Sequence, residues 1–411
     1  MMSRTPDIRF KGFLGDWEHK TLGEIGIAKS GTGFPDKEQG GTQGIPFYKV
    51  SDMNTPGNET ILRTANNYVS EEQVARNKWK PIDAVPAIFF AKVGAAVLLN
   101  RKRLCLESFL LDNNTMAYSM NQSEWDTNYA KAFFDTLNLP SLCQPGPLPS
   151  YNTGDVEGLN ILIPKTAEQK VIGQLFSDLD TLIEQNQSEV DRLRNLKKAM
   201  LQKMFPQNGA KVPEIRFKGF SGDWETKKLG NMASFSKGSG YSKSDLAESG
   251  VPVVLYGRMY TNYRTVITDV DTFAEPKSGA VYSRGGEVVV PASGETAEDI
   301  SIASVVSRPG IILGGDLNVI TPYVELDSVF LALAISFGSA HNEMAMRAQG
   351  ASIFHLHNSD LMTINLMFPE KSEQLMIGQY FQNLDSLIEQ RQSNTDRLRN
   401  LKQAMLQRMF V

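Results

Sequence analysis

"PKTAEQKVIGQLFSDLDTLIEQNQSEVDRLRNLKKAMLQKMF" (residues 164–205) is written a second time as "PEKSEQLMIGQYFQNLDSLIEQRQSNTDRLRNLKQAMLQRMF" (369–410), without a gap and at an offset of 205. Internal copies decide the architecture before any other feature does. Within 191–205 and 396–410 the copies differ only at Lys198 against Gln403 and Lys203 against Arg408. Upstream, "PDIRFKGFLGDWEHKTLGEI" (6–25) returns as "PEIRFKGFSGDWETKKLGNM" (213–232), at an offset of 207. The two halves therefore have nearly the same length. Between the paired segments they diverge, and similarity fades past Gly31–Phe34 against Gly238–Tyr241. A solenoid needs three or more short repeats. Two long copies describe a duplicated scaffold with two different inserts.

The repeated segment carries an a/d ladder of apolar residues. It runs Ile172, Phe176, Leu179, Ile183, Val190, Leu193, Met200 and Met204, with polar Asn186 and Lys197 in the skipped seam positions. The second copy reads Ile377, Phe381, Leu384, Ile388, Leu398, Met405 and Met409, with Arg391, Thr395 and Lys402 in the seam. Such spacing predicts a coiled-coil helix. Thr166 with Gln169 suits a capping box, and Ser372 is the candidate cap of the second helix. Forty residues of helix extend roughly 60 Å, and a narrow seam of that length asks for a partner helix. The other copy is the simplest partner. Packing of each helix on its own globular domain is the alternative.

Both inserts mix strand-like runs with one helix-like stretch. In 26–163 the runs are "IPFYKV", "AIFFAKV", "AAVLLN" and "LNILI", with "TNYAKAFFDTLNL" (127–139) helix-like. In 233–367 they are "VPVVLY", "TVITDV", "EVVVPAS", "IIL", "LNVIT" and "MTINLMF", with "SVFLALAISFGSAHNEMAM" (328–346) helix-like. The expected fold class is α+β, with mostly antiparallel sheets. Two globular α/β-mixed domains (1–163 and 209–367) would be joined by two long helices (164–208 and 368–411). The helices would form an intramolecular antiparallel coiled coil with pseudo-twofold symmetry.

Composition excludes several classes. The 411 residues have a formal net charge of −4, whereas a chain that wraps nucleic acid alone is usually clearly basic. Either nucleic acid is not the partner or other subunits cover most of the phosphates. Cys105 and Cys143 form no disulfide framework and suit a reducing compartment. The amino-terminal residues contain no apolar signal core. The run "VFLALAISF" (329–337) is too short for a bilayer, so the expectation is a cytoplasmic protein without a membrane partner.

Catalytic signatures are missing. There is no phosphate-binding G-x-x-x-x-G-K-[ST] loop and no G-x-S-x-G elbow. No Pro-Pro dipeptide occurs, which excludes the Asp/Asn-Pro-Pro-aromatic motif of amino-methyltransferases. His355 and His357 share a strand face but have no Cys or carboxylate cluster near them in sequence, so no metal site is expected. Pro6-Asp7 followed by Glu18-His19-Lys20 fits the loose PD-ExK nuclease pattern, with Pro213-Glu214 and Glu225-Thr226-Lys227 as its second copy. A duplicated docking segment accounts for both. Two spots combine positive charge with aromatic or amide groups: "LNRKRL" (99–104) and "YGRMYTNYR" (256–264). Clusters of this kind suit phosphate contact and base-edge contact, though solvated loops are the plainer reading of any one of them.

The layout, with "RFKGFLGDWEHKTLGEI", "IPKTAEQKVIGQLFSDLDTLIEQ" and "LRNLKKAMLQKMF" and their second copies, resembles the specificity (S) subunit of type I restriction–modification enzymes over essentially the full length. The resemblance implies two target-recognition domains, each reading one half of a bipartite double-stranded DNA target. It implies a coiled coil that acts as a ruler, and a chain without catalysis of its own. Two methyltransferase (M) subunits using S-adenosylmethionine, and motor–nuclease (R) subunits using ATP and magnesium, would be the partners. Candidate DNA-contacting residues are Ser30, Gly31, Thr32, Phe34, Lys49, Arg101, Lys102, Ser150, Tyr151 and Asn152 in the first domain. In the second they are Gly238, Ser239, Tyr241, Arg258, Tyr260, Tyr263, Arg264, Ser352 and His355. A non-DNA coiled-coil adaptor and a stand-alone nuclease are the competing classes.

Overall fold

The computed structural model describes residues 5–144, 148–207, 209–348, 350 and 353–411. The chain divides into two compact units, one built from 1–187 with 393–411 and the other from 188–392. The long helices span Thr166–Lys203 and Lys371–Met409. They do not stand apart as separate bodies. Each unit takes in one divergent domain, a segment of one long helix and a segment of the other.

In the first unit, a four-stranded antiparallel sheet places Gly26–Ser30, Thr115–Met120, Ala87–Ala91 and Lys102–Cys105 side by side. A three-stranded sheet joins Tyr68–Val69, Ile45–Tyr48 and Leu110–Leu111. The repeated Glu18–Thr21 pairs antiparallel with Asn160–Ile163, just before the long helix. The core runs without interruption from Phe89, Tyr118 and Phe134 into Ile172, Phe176 and Leu179 of the first helix and Met409 and Phe410 of the second copy. Lys402 Nζ bonds Asp180 Oδ1 at 2.6 Å and Arg399 Nη2 bonds Gln187 Oε1 at 3.0 Å. As one number rises the other falls, so the two segments run antiparallel.

The second unit repeats the plan on its own. Five strands follow the order Ala233–Lys237, Leu317–Pro322, Glu287–Pro291, Ser304–Val306, Val266–Ile267. A second five-stranded sheet is built around Val251–Val254 and Pro309–Leu313. Glu225–Lys228 pairs with Asn365–Phe368 in the same register as its counterpart in the first unit. Leu193, Leu201, Met204 and Phe205 join Ile377, Phe381 and Leu384 in the core of this domain. Lys197 pairs with Asp385, and Arg194 Nη2 bonds Gln392 Oε1 at 3.2 Å, again antiparallel. Every ladder residue of both copies is buried or half-buried. Pairing of the helices and packing of each on its domain are thus one and the same core.

Four local expectations change. "AAVLLN" is not a strand. Ala95–Leu99 form a 3-10 turn that links Ala87–Ala91 to Lys102–Cys105, entered at Gly94 with φ +85°. The helix-like 328–346 is two helices, Ser328–Phe337 and Ser339–Arg347. Gln169 does not close a capping box. Its side chain accepts from the Asp126 amide (2.8 Å) and donates to the carbonyls of Glu124 and Pro164 (2.9 Å each). Gln374 does the same with Asp327, Glu325 and Pro369. Ser372 lies inside the first turn of its helix and bonds Glu370.

Of the glycines near the two helix starts, Gly173 has a steric reason and Gly378 has little. A Cβ on Gly173 would lie 2.4 Å from Asp126 Oδ1 and 2.5 Å from the Tyr129 amide, whereas on Gly378 its nearest neighbours would be 3.3 Å away. The short helix of the first domain must therefore back away in Gly173→Ala, a net loss of about 2 kcal/mol. Gly378→Ala is expected to stay within about 1 kcal/mol of wild type, because the gain in helix propensity offsets a small shift. Chemical denaturation of the two variants checks the difference, and equal losses would refute it.

Candidate nucleic-acid interface

The first-domain candidates divide into anchors and half-buried or exposed groups. Gly31 follows the strand Gly26–Ser30 and lies so close to the next segment that a Cβ would fall 1.7 Å from the Asp112 carbonyl oxygen. The Gly31 amide donates to the Thr115 carbonyl (3.1 Å) and the Thr32 amide to that of Leu111 (2.9 Å). Phe34 stacks on Phe47, with centroids 3.7 Å apart and planes 3° apart, and meets Trp79 edge-on. This loop therefore pins the small sheet to the large one, with Thr32 at its half-buried rim.

Lys49 sits beside it. Its amide donates to Asp52 Oδ2 (2.6 Å) and its Nζ to Gln39 Oε1 (3.1 Å). Burial pushes the carboxyls of Asp52 and Asp112 above the ordinary range, and Lys49 opposes that rise in both. Arg101 joins the same edge through the Asn54 side chain, at the end of the turn Val50–Asn54 that follows Lys49.

Lys102 and Tyr151 lie elsewhere. Lys102 is buried, with Nζ donating to Asn100 Oδ1 (2.8 Å) and the Leu137 carbonyl (2.6 Å). Burial pulls its ammonium down to about 8. Tyr151 is buried and donates to the Ala91 carbonyl (2.6 Å). Both side chains are spent inside the fold, which corrects their candidacy for DNA contact. Ser150 bridges to Val93, and Asn152 caps the helix Thr153–Glu157 by accepting from the Asp155 amide (3.1 Å).

The second domain repeats the anchor. Gly238 lies against the Gly314 carbonyl oxygen, which a Cβ would approach to 1.9 Å. The Ser239 amide donates to the Leu313 carbonyl (2.8 Å). Tyr241, at the position of Phe34, is buried. Its hydroxyl accepts from the Lys277 amide (2.6 Å), and the Lys277 ammonium lies 5.0 Å from its ring centroid. Tyr241 is therefore an anchor and not a base-stacking platform.

Arg258 pairs with Asp271. Tyr260 is half-buried beside Tyr256, ring centroids 6.2 Å apart. Tyr263 donates to Ser336 Oγ (3.3 Å), and burial raises its hydroxyl to about 12. Arg264 bonds Asp269 (3.1 Å) and its Nε lies 3.9 Å from Glu389 on the long helix. Arg264 thus faces the scaffold, whereas Tyr263 is spent inside its own domain. His355 is exposed on the strand Phe354–His355, paired with Ser293–Gly294. Ser352 lies outside the described residues.

One group escaped the sequence reading. Arg284 and Arg308 are both exposed, and the strand register places Pro309, the residue after Arg308, opposite Arg284, two residues along the strand from exposed Tyr282. They are 24 residues apart in sequence, and only strand pairing joins them. Exposed arginines next to an aromatic ring suit phosphate and base-edge contact. The nuclease-like pieces are placed differently. Glu18 and Lys20 lie in the repeated strand, and Lys20 Nζ pairs with Glu124 at 2.5 Å. Among the described residues no cluster of three or more His, Cys, Asp or Glu could hold a metal ion. Among them, too, no helix is long and apolar enough to cross a membrane.

Comparison with known proteins agrees with the repeat. The model of the type I restriction modification DNA specificity domain matches twice, over 15–193 and 221–396. The type I restriction enzyme MjaVIII specificity subunit of Methanocaldococcus jannaschii is 22% identical over 63% of this chain and 63% of its own length. The putative type I restriction enzyme MjaX specificity subunit of the same organism is 24% identical over 62% of this chain and 60% of its own. The chain thus spans about three-fifths of the length of these curated relatives. In fold it resembles the crystal structure of a type I restriction-modification system S subunit from M. genitalium, with TM-score 0.65, 14% identity and 99% of each chain covered.

Proposed function

The chain belongs to the type I restriction modification DNA specificity family, and from that premise we propose that it is the DNA-reading subunit of a type I restriction–modification complex. Each divergent domain reads one half of an asymmetric, two-part, double-stranded DNA target. The observation that carries this reading is the coincidence of the two family matches with two scaffold copies that hold differing inserts. A near-identical scaffold offers two equivalent seats for one kind of partner, and two different inserts make the target asymmetric.

The chemistry belongs to the partners. Two methyltransferase subunits would use S-adenosylmethionine to modify an adenine in each half-site. Motor–nuclease subunits would use ATP and magnesium for restriction. The chain's net charge of −4 suits a reader whose partners cover most of the phosphates. On the DNA-facing side we place Thr32, Lys49 and Arg101 in the first domain and Tyr282, Arg284 and Arg308 in the second. The long helices serve as the ruler between half-sites, which lie about one helical turn apart, roughly 34 Å.

The test is a map of N6-methyladenine in cells with and without this gene. A two-part asymmetric motif that disappears with the gene is the expected result. A methylome that does not change would refute the reading. Arg284→Ala should then relax one half-site alone, by about 1–3 kcal/mol of discrimination, if the arginine reads a base. Uniform weakening at both halves would mark it as a phosphate contact.

A further inference from the structure

The two recognition domains are fastened to their long helices by copied elements that differ at one buried ion network. In the first domain Thr127–Thr136 is a ten-residue helix capped by Asp126, and in the second Ser328–Phe337 is a ten-residue helix capped by Asp327. Each cap amide is held by the equivalent long-helix glutamine, Gln169 or Gln374. These ties fix the alignment of the two short helices, and Asp135 then corresponds to Ser336. The long helices also carry a duplicated ion pair, Lys402 with Asp180 and Lys197 with Asp385.

At that pair the units differ. Asp135 Oδ2 lies 3.3 Å from Lys402 Nζ and 2.5 Å from Lys131 Nζ. All four side chains of this network are no more than 20% exposed. Burial works against the Asp135 charge, and Lys131 and Lys402 overcome it, so the carboxyl stays below its usual range. Ser336 makes no such link. Its hydroxyl accepts from the Ala303 amide (2.9 Å) and from Tyr263 (3.3 Å) inside the domain. Besides the Arg–Glu clamp that both units share (Arg9 with Glu168, Arg216 with Glu373), the second domain pairs Arg264 with Glu389 at 3.9 Å and Glu214 with Lys203 at 2.6 Å, with side chains 37% and 63%, and 67% and 43%, exposed. Exposed pairs of that kind contribute little, whereas a shielded network holds its geometry.

We propose that Asp135 is a positioning residue: through Lys402 and Asp180 it sets the angle of the first recognition domain on its long helices, and so fixes the spacer at which the first half-site is accepted. The inference rests on the DNA-reading function proposed above. It makes the first domain the rigidly mounted reader and the second the tolerant one.

The test uses the whole chain in cells that contain its methyltransferase partner, with N6-methyladenine mapped for wild type, Asp135→Asn, Asp135→Glu and Ser336→Ala. In Asp135→Asn both half-sites should stay the same while methylation at targets one base pair longer or shorter rises about tenfold over wild type. Asp135→Glu should restore the native spacer, and Ser336→Ala should leave it unchanged. A wild-type motif with an unaltered spacer in Asp135→Asn overturns the inference and leaves the DNA-reading function standing. A uniform fall in methylation at the native spacing in both Asp135 variants also overturns it, since that is the mark of a merely structural residue. If wild type shows no motif that depends on the chain, both the function and the inference fail.

Discussion

Phe410→Ala should cost the first unit about 3 kcal/mol while leaving the second intact. The ring packs against Tyr129, Phe133 and Phe176, with centroids 5.3, 6.1 and 5.6 Å away, and is 9% exposed. Removing a buried aromatic ring loses its transfer energy and leaves a cavity, typically 3–5 kcal/mol. The lower figure applies because neighbouring Val411 is exposed and the last turn can settle inward. The copy at Phe205, beside Trp224, Phe330 and Phe381, should act on the second unit alone. Peptide-resolved hydrogen exchange separates the two cases. Loss of protection in 188–392 after Phe410→Ala would contradict the division into units.

Glu373→Ala should cost the second unit a further sum of the same size, about 3 kcal/mol. Its carboxylate is buried and takes two hydrogen bonds of 2.7 Å from Arg216, whose other arm donates to the Gly222 carbonyl. Breaking a buried pair strands the remaining charge. Replacing both partners, as Arg216→Leu with Glu373→Leu, should recover most of the loss, because no charge is then left without its counter-ion. Denaturation of the single and double variants gives the coupling. A single-variant loss below about 0.5 kcal/mol, the scale of a surface pair, would overturn the argument. The first unit has the same clamp in Arg9, Glu168 and Gly15.

The scaffold was readable because it is periodic and written twice. The apolar ladder needs only heptad arithmetic to locate helix and seam, and the repeat supplies the partner. The repeated entry segment was legible as a copy but not as a strand, because its mate is far off in sequence: Glu18 pairs with Ile163 across most of a domain. The candidate site was legible only in part. "LNRKRL" reads as one basic run, but it spans a turn and a strand, so Lys102 points into the fold while Arg101 reaches Asn54. Aromatic residues mislead for a similar reason. Phe34 and Tyr241 sit in Gly-rich loops that look like contact surfaces, but their rings pack against the sheets that hold Phe47 and Val253. Arg284 and Arg308 could not be joined without the register of Tyr282–Arg284 on Pro309–Leu313.

The unequal make-up of the two units has a consequence for biosynthesis. The second is one unbroken stretch, 188–392, whereas the first draws on 1–187 and then on 393–411. Domains generally fold as units while the chain emerges from the ribosome. The first-made domain must therefore wait, with the apolar faces of Tyr129, Phe133 and Phe176 uncovered, until residues 393–411 arrive to close it. The later-made unit has all its parts sooner. Birth order and completion order are reversed, and the exposed interval of the nascent first domain is the time needed to translate everything between residues 187 and 410.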